Sequence, residues 1–355
     1  MCGLAGLWQP NAGAAAPALT VLVERMGAAI AHRGPDDAGS WVCGQSGIAL
    51  AHQRLSIQDL SPMGHQPMAS TDARYQLVYN GEIYNFQALR AELLTLGHAF
   101  AGHSDTEVLL AAIVQWGLEA ALQRCNGMFA LALWDSQQQR LALARDRVGK
   151  KPLYYGWAGS TLVFASELKA LWHHPGFDNP VNPDALALLL QLDYIPAPHS
   201  IHRHCWKLMP GHILWLDAAE VIAGPTGHQP ADCQQPFWSA QQSMQTALAE
   251  PFAGTVEQAV DAVESLLTDA VNLRSVADVP VGVFLSGGTD SALVAALMQA
   301  RKLGPVNSFS IGFRDSSHDE APLAKAVAGH LGLQHTELYV DDADALGVVP
   351  LLPSM

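Results

Sequence analysis

Over the first ~210 residues, apolar positions come in short runs separated by turn-forming residues. Stretches 76–79, 128–134, 140–144 and 161–165 read as β-strands, whereas apolar residues recur at helical spacing over 86–96 and 106–121. Strand–helix–strand repeats are few, which predicts sheets packed on one another and covered by helices. From about Asp217 to Gly254 the texture changes, and 225–235, rich in Gly, Pro, Gln and Ala, reads as a linker or surface loop. Beyond it the pattern predicts a helix over 256–273, an apolar strand over 279–285, a glycine turn and a helix from about Ala292. A strand over 307–313, a helix over 321–331 and a strand near 336–340 complete the order. That alternation is the signature of a parallel doubly wound sheet. Only three of its strands can be read before Met355, fewer than such a domain needs. The expected organisation is a first domain over 1–215, a connecting segment over 216–255, and the N-terminal part of an α/β domain over 256–355.

Composition narrows the function classes. Of 355 residues, 49% are hydrophobic and 15% charged, as in a folded globular enzyme rather than a disordered chain. The formal net charge of −14, with no basic run denser than Lys150-Lys151, removes the electrostatic grip that nucleic acid requires. No apolar run approaches the roughly 18 residues of a membrane span, and no basic region precedes an apolar stretch as in a secretory signal. The five cysteines form no CxxC pair, which argues against a disulfide framework or structural zinc and fits a reducing cytoplasm. His199, His202, His204 and Cys205 lie close together, but their spacing matches no standard zinc pattern.

The chemistry begins at the second residue. Removal of Met1 would place a thiol and a free α-amine on Cys2. The amine titrates near 8, so it can accept the thiol proton directly or through water. Asn80-Gly81 lies between two β-rich halves. It is a strong hairpin signal, and an Asn amide beside a backbone N–H is also what an oxyanion hole requires. Asp105 stands in Ser104-Asp-Thr-Glu107, a capping-box pattern that opens a helix. Arg54 carries a planar fork suited to a bidentate grip on a carboxylate. Together these supply a nucleophile, an oxyanion hole, a cation and an anion, which is what free glutamine needs.

Seven ordered stretches resemble asparagine synthetases of the class II glutamine amidotransferase type. They are Met1-Cys-Gly-Leu-Ala-Gly6, His32-Arg-Gly-Pro-Asp-Asp37, Arg54-Leu-Ser-Ile57, Asn80-Gly-Glu-Ile-Tyr-Asn85, Ser104-Asp-Thr-Glu107, Arg145-Asp-Arg-Val-Gly-Lys-Lys-Pro-Leu-Tyr-Tyr155 and Tyr194-Ile-Pro-Ala-Pro-His-Ser200. The resemblance implies an α+β N-terminal-nucleophile fold, a four-layer α/β/β/α sandwich. It makes Cys2 the nucleophile, Asn80 and Gly81 the oxyanion hole, and Arg54 and Asp105 the clamps on the α-groups of glutamine. Backbone around Leu55, Ile57 and Glu82 would line the pocket. The 32–37 stretch receives no chemical role. A homodimer is a further expectation from the family.

Val279-Pro-Val-Gly-Val-Phe-Leu-Ser-Gly-Gly-Thr-Asp-Ser291 is an apolar strand, a glycine turn and a helix start, a geometry that aims N–H groups at an anion. It contains no Walker lysine, and a plain βα turn is the alternative reading. It resembles the SGGxDS pyrophosphate loop of ATP pyrophosphatases, whose partial Rossmann-like domain would occupy 256–355. On that likeness Ser286, Gly287, Gly288, Asp290 and Ser291 hold pyrophosphate, Leu285 and Ile311 contact adenosine, and Asp290 binds Mg²⁺ bridging the phosphates. The second synthetase motif of the family does not occur before Met355, so the sequence reads as a fragment. The implied activity is ATP-dependent amidation of a carboxylate, that of aspartate first, with ammonia from glutamine. The alternatives are a sugar-acid acceptor in polysaccharide assembly, or a truncated protein that binds glutamine or ATP without synthetase activity.

Overall fold

The computed structural model describes residues 2–10, 16–225, 233–301, 304–314 and 319–354, so 226–232 of the expected linker lie outside the described residues. The chain divides into two units, Met1–Glu250 and Pro251–Met355.

In the first unit, strand β1 (Gly3–Trp8) is buried along its whole length. Its sequence is a continuous apolar run because both faces are covered. Leu4 and Trp8 enter the core between two sheets, while Ala5 and Leu7 enter a second core with Leu19, Val23 and Met26 of helix α1 (Ala16–Ala28). In the first sheet, β1 lies between β3 (Ile48–Arg54) and β9 (Thr161–Ala165). Outward from these are β2 (Asp37–Cys43) on one side and β8 (Tyr154–Ala158) with β10 (Cys205–Lys207) on the other. The second sheet runs in the order β12 (Gln234–Pro236), β11 (His212–Leu216), β7 (Arg140–Arg145), β6 (Gly127–Asp135), β5 (Tyr75–Ile83) and β4 (Met68–Ala69). All pairs in both sheets are antiparallel. Trp8 and Trp134 meet edge to face between the sheets, centroids 5.0 Å apart. Such a ring pair adds only about 1 kcal/mol beyond the burial of its area, so the apolar area carries this core. Helix α3 (Asp105–Trp116) covers the outer face of the second sheet with Val108, Leu109, Ala112 and Ile113 buried. Helix, sheet, sheet and helix make the expected four layers.

Two local expectations are corrected. Asn80-Gly81 makes no hairpin: β5 runs straight through it, with Asn80 opposite Ala130 and Gly81 opposite Phe129. Pairing with β6 along the full strand overrides the turn preference. The helix expected over 106–121 is two, α3 and then α4 (Leu118–Arg124), broken where Gly117 takes φ 81°. Within the connecting segment expected over 216–255, the described residues hold regular elements. Asp217 and Glu220 close a capping box on a short helix over Ala218–Ala223, β12 pairs with β11, and a further helix spans Ala240–Ala249.

The second unit holds a three-stranded parallel sheet in the order β13 (Gly282–Phe284), β14 (Asn307–Phe313) and β15 (Gln334–Val340). Along β14, Ser308 and Ser310 are buried while Phe309, Ile311 and Phe313 are exposed. Two helices, Thr289–Arg301 and Ala321–Leu331, cover the first face through Ala295, Ala324 and Ala328 around Leu285. Phe284 and Leu338 extend the exposed face across the sheet. β13 is shorter than the expected 279–285. Among the described residues, no helix is long and apolar enough to cross a membrane.

His52 joins the two sheets. It is 1% exposed, and its Nε2 lies 2.9 Å from the carbonyl oxygen of Tyr79. Burial pushes its pKa down to about 4, so the folded state keeps a neutral ring that the unfolded chain protonates below about 6.5. Between those values the unfolded state binds the extra proton, and stability falls with falling pH. The shift is equivalent to about 3 kcal/mol. The thermal midpoint is expected to drop between pH 6.5 and 4 in the native chain, and to drop less over that interval in His52→Gln.

Candidate active site

Cys2 sits at the entry to β1, where its position depends on groups far along the chain. Its Sγ accepts from the Leu55 N–H at 3.3 Å and donates to the Leu55 carbonyl at 3.6 Å. Arg33 Nε donates to the Cys2 carbonyl at 3.0 Å, and Arg33 Nη1 pairs with Glu167 at 2.7 Å. Glu167 also receives His32 and Lys169. Burial pushes the Cys2 thiol up, opposed first by the Leu55 N–H. The thiol is therefore protonated at neutral pH and needs a base to attack.

Every residue expected around glutamine lines one cavity of about 240 Å³: Cys2, Arg54, Leu55, Ile57, Asn80, Gly81, Glu82 and Asp105. The straight course of β5 carries Asn80, Gly81 and Glu82 to this wall. Asn80 is 1% exposed, and its Nδ2 is buried with no hydrogen-bond partner. A buried unpaired donor costs about 1–3 kcal/mol, and the residue that carries it lines the same cavity as Cys2. At Gly81 a Cβ would stand 2.3 Å from the Met128 carbonyl oxygen, so the close approach of β6 admits no side chain.

Asp105 opens α3 and is buried, accepting from Tyr79 Oη and the Ile83 N–H, both at 2.8 Å. Burial raises its pKa against those two hydrogen bonds, so a cation entering the cavity would favour its ionised form. The capping box expected over 104–107 forms only in part. Ser104 Oγ accepts from the Glu107 N–H, but the Glu107 carboxylate turns to the N–H groups of Ala101 and Gly102.

Arg54 departs from the expected bidentate fork. Nη1 donates to the Ser61 carbonyl at 3.1 Å, and Nη2 donates to the carbonyls of Gln58 (3.3 Å) and Asp59. With both Nη2 hydrogens engaged, neither two-nitrogen edge of the guanidinium stays whole. Arg54 thus organises the loop after β3 and also lines the cavity.

Sequence reasoning missed Arg33, Tyr79 and Lys151. For Arg33 and Lys151 the signal was present in two stretches, 32–37 and 145–155, quoted without a role for their members. Asp146 is fully buried, and its carboxylate accepts from the N–H groups of Phe129, Val148, Lys150 and Lys151 at 3.0–3.2 Å. Arg145 donates to the carbonyls of Gly149, Lys151 and Leu208. The two residues tie the 145–155 turn so that Lys151 lines the cavity. Burial holds the Lys151 ammonium below its ordinary value, against the charge of Glu82, whose own carboxyl is raised first by burial and then by Asp105.

In the second unit, Gly287 takes φ 81°, and a Cβ on it would stand 2.8 Å from Leu323 and 2.9 Å from the Ala324 nitrogen. Ser291 Oγ lies 3.0 Å from Ser286 Oγ and donates to the Gly288 carbonyl, which closes the loop over the first turn of the following helix. Ser286, Gly288 and Asp290 are exposed there. Leu285 and Ile311 do not share a face. The Leu285 side chain lies in the core with Ala295 and Ala324, and its N–H and carbonyl are bonded to Phe309 and Ser310, while Ile311 is exposed on the opposite face. Among the described residues, no group of three His, Cys, Asp or Glu side chains is placed to hold a metal. His202 engages both ring nitrogens, with the Asn179 carbonyl and Trp172 Nε1.

Residues 1–226 match the family model described as glutamine amidotransferase domain, and residues 262–355 match that described as asparagine synthase. The chain is 32% identical to asparagine synthetase [glutamine-hydrolyzing] 3 of Bacillus subtilis, over 91% of this chain and 52% of that one. It is 35% identical to a putative asparagine synthetase [glutamine-hydrolyzing] of Mycobacterium tuberculosis, over 99% of this chain and 53% of that one. It is also 33% identical to amidase chyE of Penicillium rubens, over 88% of this chain and 46% of that one. The chain thus spans about half the length of these relatives. Cys2, Asn80 and Asp105 line one cavity, and the matched family model covers more than half of the chain. The chain belongs to the glutamine amidotransferase domain family.

Proposed function

We propose that the first unit hydrolyses glutamine at Cys2 and that the second binds ATP for the amidation of a carboxylate. The observation that carries the first half is that Cys2 and Asn80, whose buried amide nitrogen has no partner, line one cavity. With Met1 removed, the Cys2 α-amine takes the thiol proton and the sulfur attacks the side-chain carboxamide carbon of glutamine. The oxyanion is met by the Asn80 amide and the Gly81 N–H. Collapse breaks the C–N bond, and the leaving nitrogen takes a proton and departs as ammonia. Water then cleaves the γ-glutamyl thioester to glutamate and free Cys2. Arg54 and Asp105 face the α-carboxylate and α-ammonium of the substrate.

For the second half, Gly287 gives the loop a concave backbone where a Cβ does not fit, and the helix N-terminus beyond it favours anions. Ser286, Gly287, Gly288 and Ser291 would surround pyrophosphate. Asp290 is one carboxylate, and Mg²⁺ shared with phosphate oxygens needs few protein ligands. Bound there, the ion would neutralise phosphate charge. The carboxylate is activated as its adenylate with loss of pyrophosphate, and ammonia displaces AMP. Aspartate is the acceptor that two of the three relatives' names favour. A relative of similar identity is named an amidase, so identity alone does not choose the acceptor.

Three outcomes are expected. Glutamate release from glutamine falls to background in Cys2→Ala, and mass spectrometry of the active chain finds Cys2 as its first residue. Asp105→Asn raises KM for glutamine by about ten- to a hundredfold, the worth of one charged hydrogen bond, with a smaller effect on kcat. Gly287→Ala, strained by its φ and by contact with Leu323, weakens ATP–Mg²⁺ binding in calorimetry; an unchanged Kd would remove the loop from the account.

A further inference from the structure

Between Arg54 and Asp105 lies a residue that touches both of their surroundings. Asp59 has no exposed surface and takes φ 55°, a left-handed conformation that Asp tolerates better than most residues. Its carbonyl accepts from Arg54 Nη2. Its Oδ1 accepts from both the N–H and the Oγ of Ser61, whose own carbonyl takes Arg54 Nη1. Its Oδ2 accepts from the His103 N–H at 2.8 Å, with His103 Nδ1 at 3.6 Å. The contact with the 101–104 segment is close, since a Cβ on Gly102 would stand 2.4 Å from Asp59 Oδ2. That segment leads into Ser104 and Asp105.

We propose that Asp59 is a positioning residue that fixes the spacing between the Arg54 and Asp105 clamps, and so selects free α-amino-acid amides over simple amides. The inference deepens the glutaminase reading and rests on it. Asp59 touches neither the cavity nor the thiol. It acts by locking the loop that engages the Arg54 guanidinium to the turn that delivers Asp105. An error of about 1 Å between two clamps is enough to cost up to a hundredfold when both must be met at once. Reagents without α-groups need neither clamp and are indifferent to the spacing.

The test compares two probes of Cys2 in the full chain. One is 6-diazo-5-oxo-L-norleucine, which has the α-groups of glutamine, and the other is iodoacetamide, which has none. In Asp59→Ala the ratio of the two labelling rates should fall at least about tenfold, with the iodoacetamide rate little changed at a temperature where the variant, less stable for its lost hydrogen bonds, is still folded. Asp59→Asn, which replaces the acceptor facing His103 but retains one for Ser61, should give a smaller fall. An unchanged ratio in Asp59→Ala overturns the proposal. So does a parallel fall of both rates, which marks a merely structural role. If the native chain itself shows no preference for the glutamine-shaped reagent, the reading of the cavity fails before the question of Asp59 arises.

Discussion

A thiol at the second residue of the sequence can act as the proposed nucleophile only if structure that lies after it holds it in place. Chain ends fray unless tied down, and this one is tied at three levels. β1 is hydrogen-bonded on both edges and buried on both faces. Arg33 grips the Cys2 carbonyl from one side, and Leu55 holds its sulfur from the other. The two-sheet sandwich is the scaffold that makes this possible, because only a central strand between two covered faces removes both edges and both faces from solvent. The rest of the cavity follows from that placement. β5 of the facing sheet presents Asn80 and Gly81 to the thiol, and α3 begins where Asp105 can reach the same space.

Much of this was legible before the structure. The strands 307–313 and 161–165 carry their limits in their own sequence, whereas β1, an unbroken apolar run, was not read as a strand beforehand. In the departures a local signal yields to another partner, near or distant in sequence. Asn80-Gly81 looks like a turn until β6 pairs with it from end to end. Glu107 looks like the closing half of a capping box until the turn at 101–102 offers it two N–H groups. Arg33 could not be given a role from its neighbours because its partner, Glu167, lies 134 residues away. Arg54 shows the opposite case, where residue type suggested a bidentate fork that the loop at 58–61 has already engaged.

The second unit shows the same logic. Small residues on one side of its sheet admit two helices at close range, and aromatic and branched residues on the other side remain exposed. Alternation along β14 was visible in the sequence; which side would be covered was not, since Ser308 and Ser310 are the buried members. Their burial is tolerated because each is hydrogen-bonded, Ser308 to His335 and Ser310 to the Leu285 carbonyl.

The account stands on Cys2 forming a bond to the glutamine carbonyl carbon. Mixing the chain with glutamine, quenching in acid within a turnover and mapping the product by mass spectrometry tests this directly. A γ-glutamyl adduct confined to the N-terminal peptide, on the Cys2 sulfur, is the predicted result. Glutamate released with no adduct at any quench time, or an adduct on another cysteine, would contradict it.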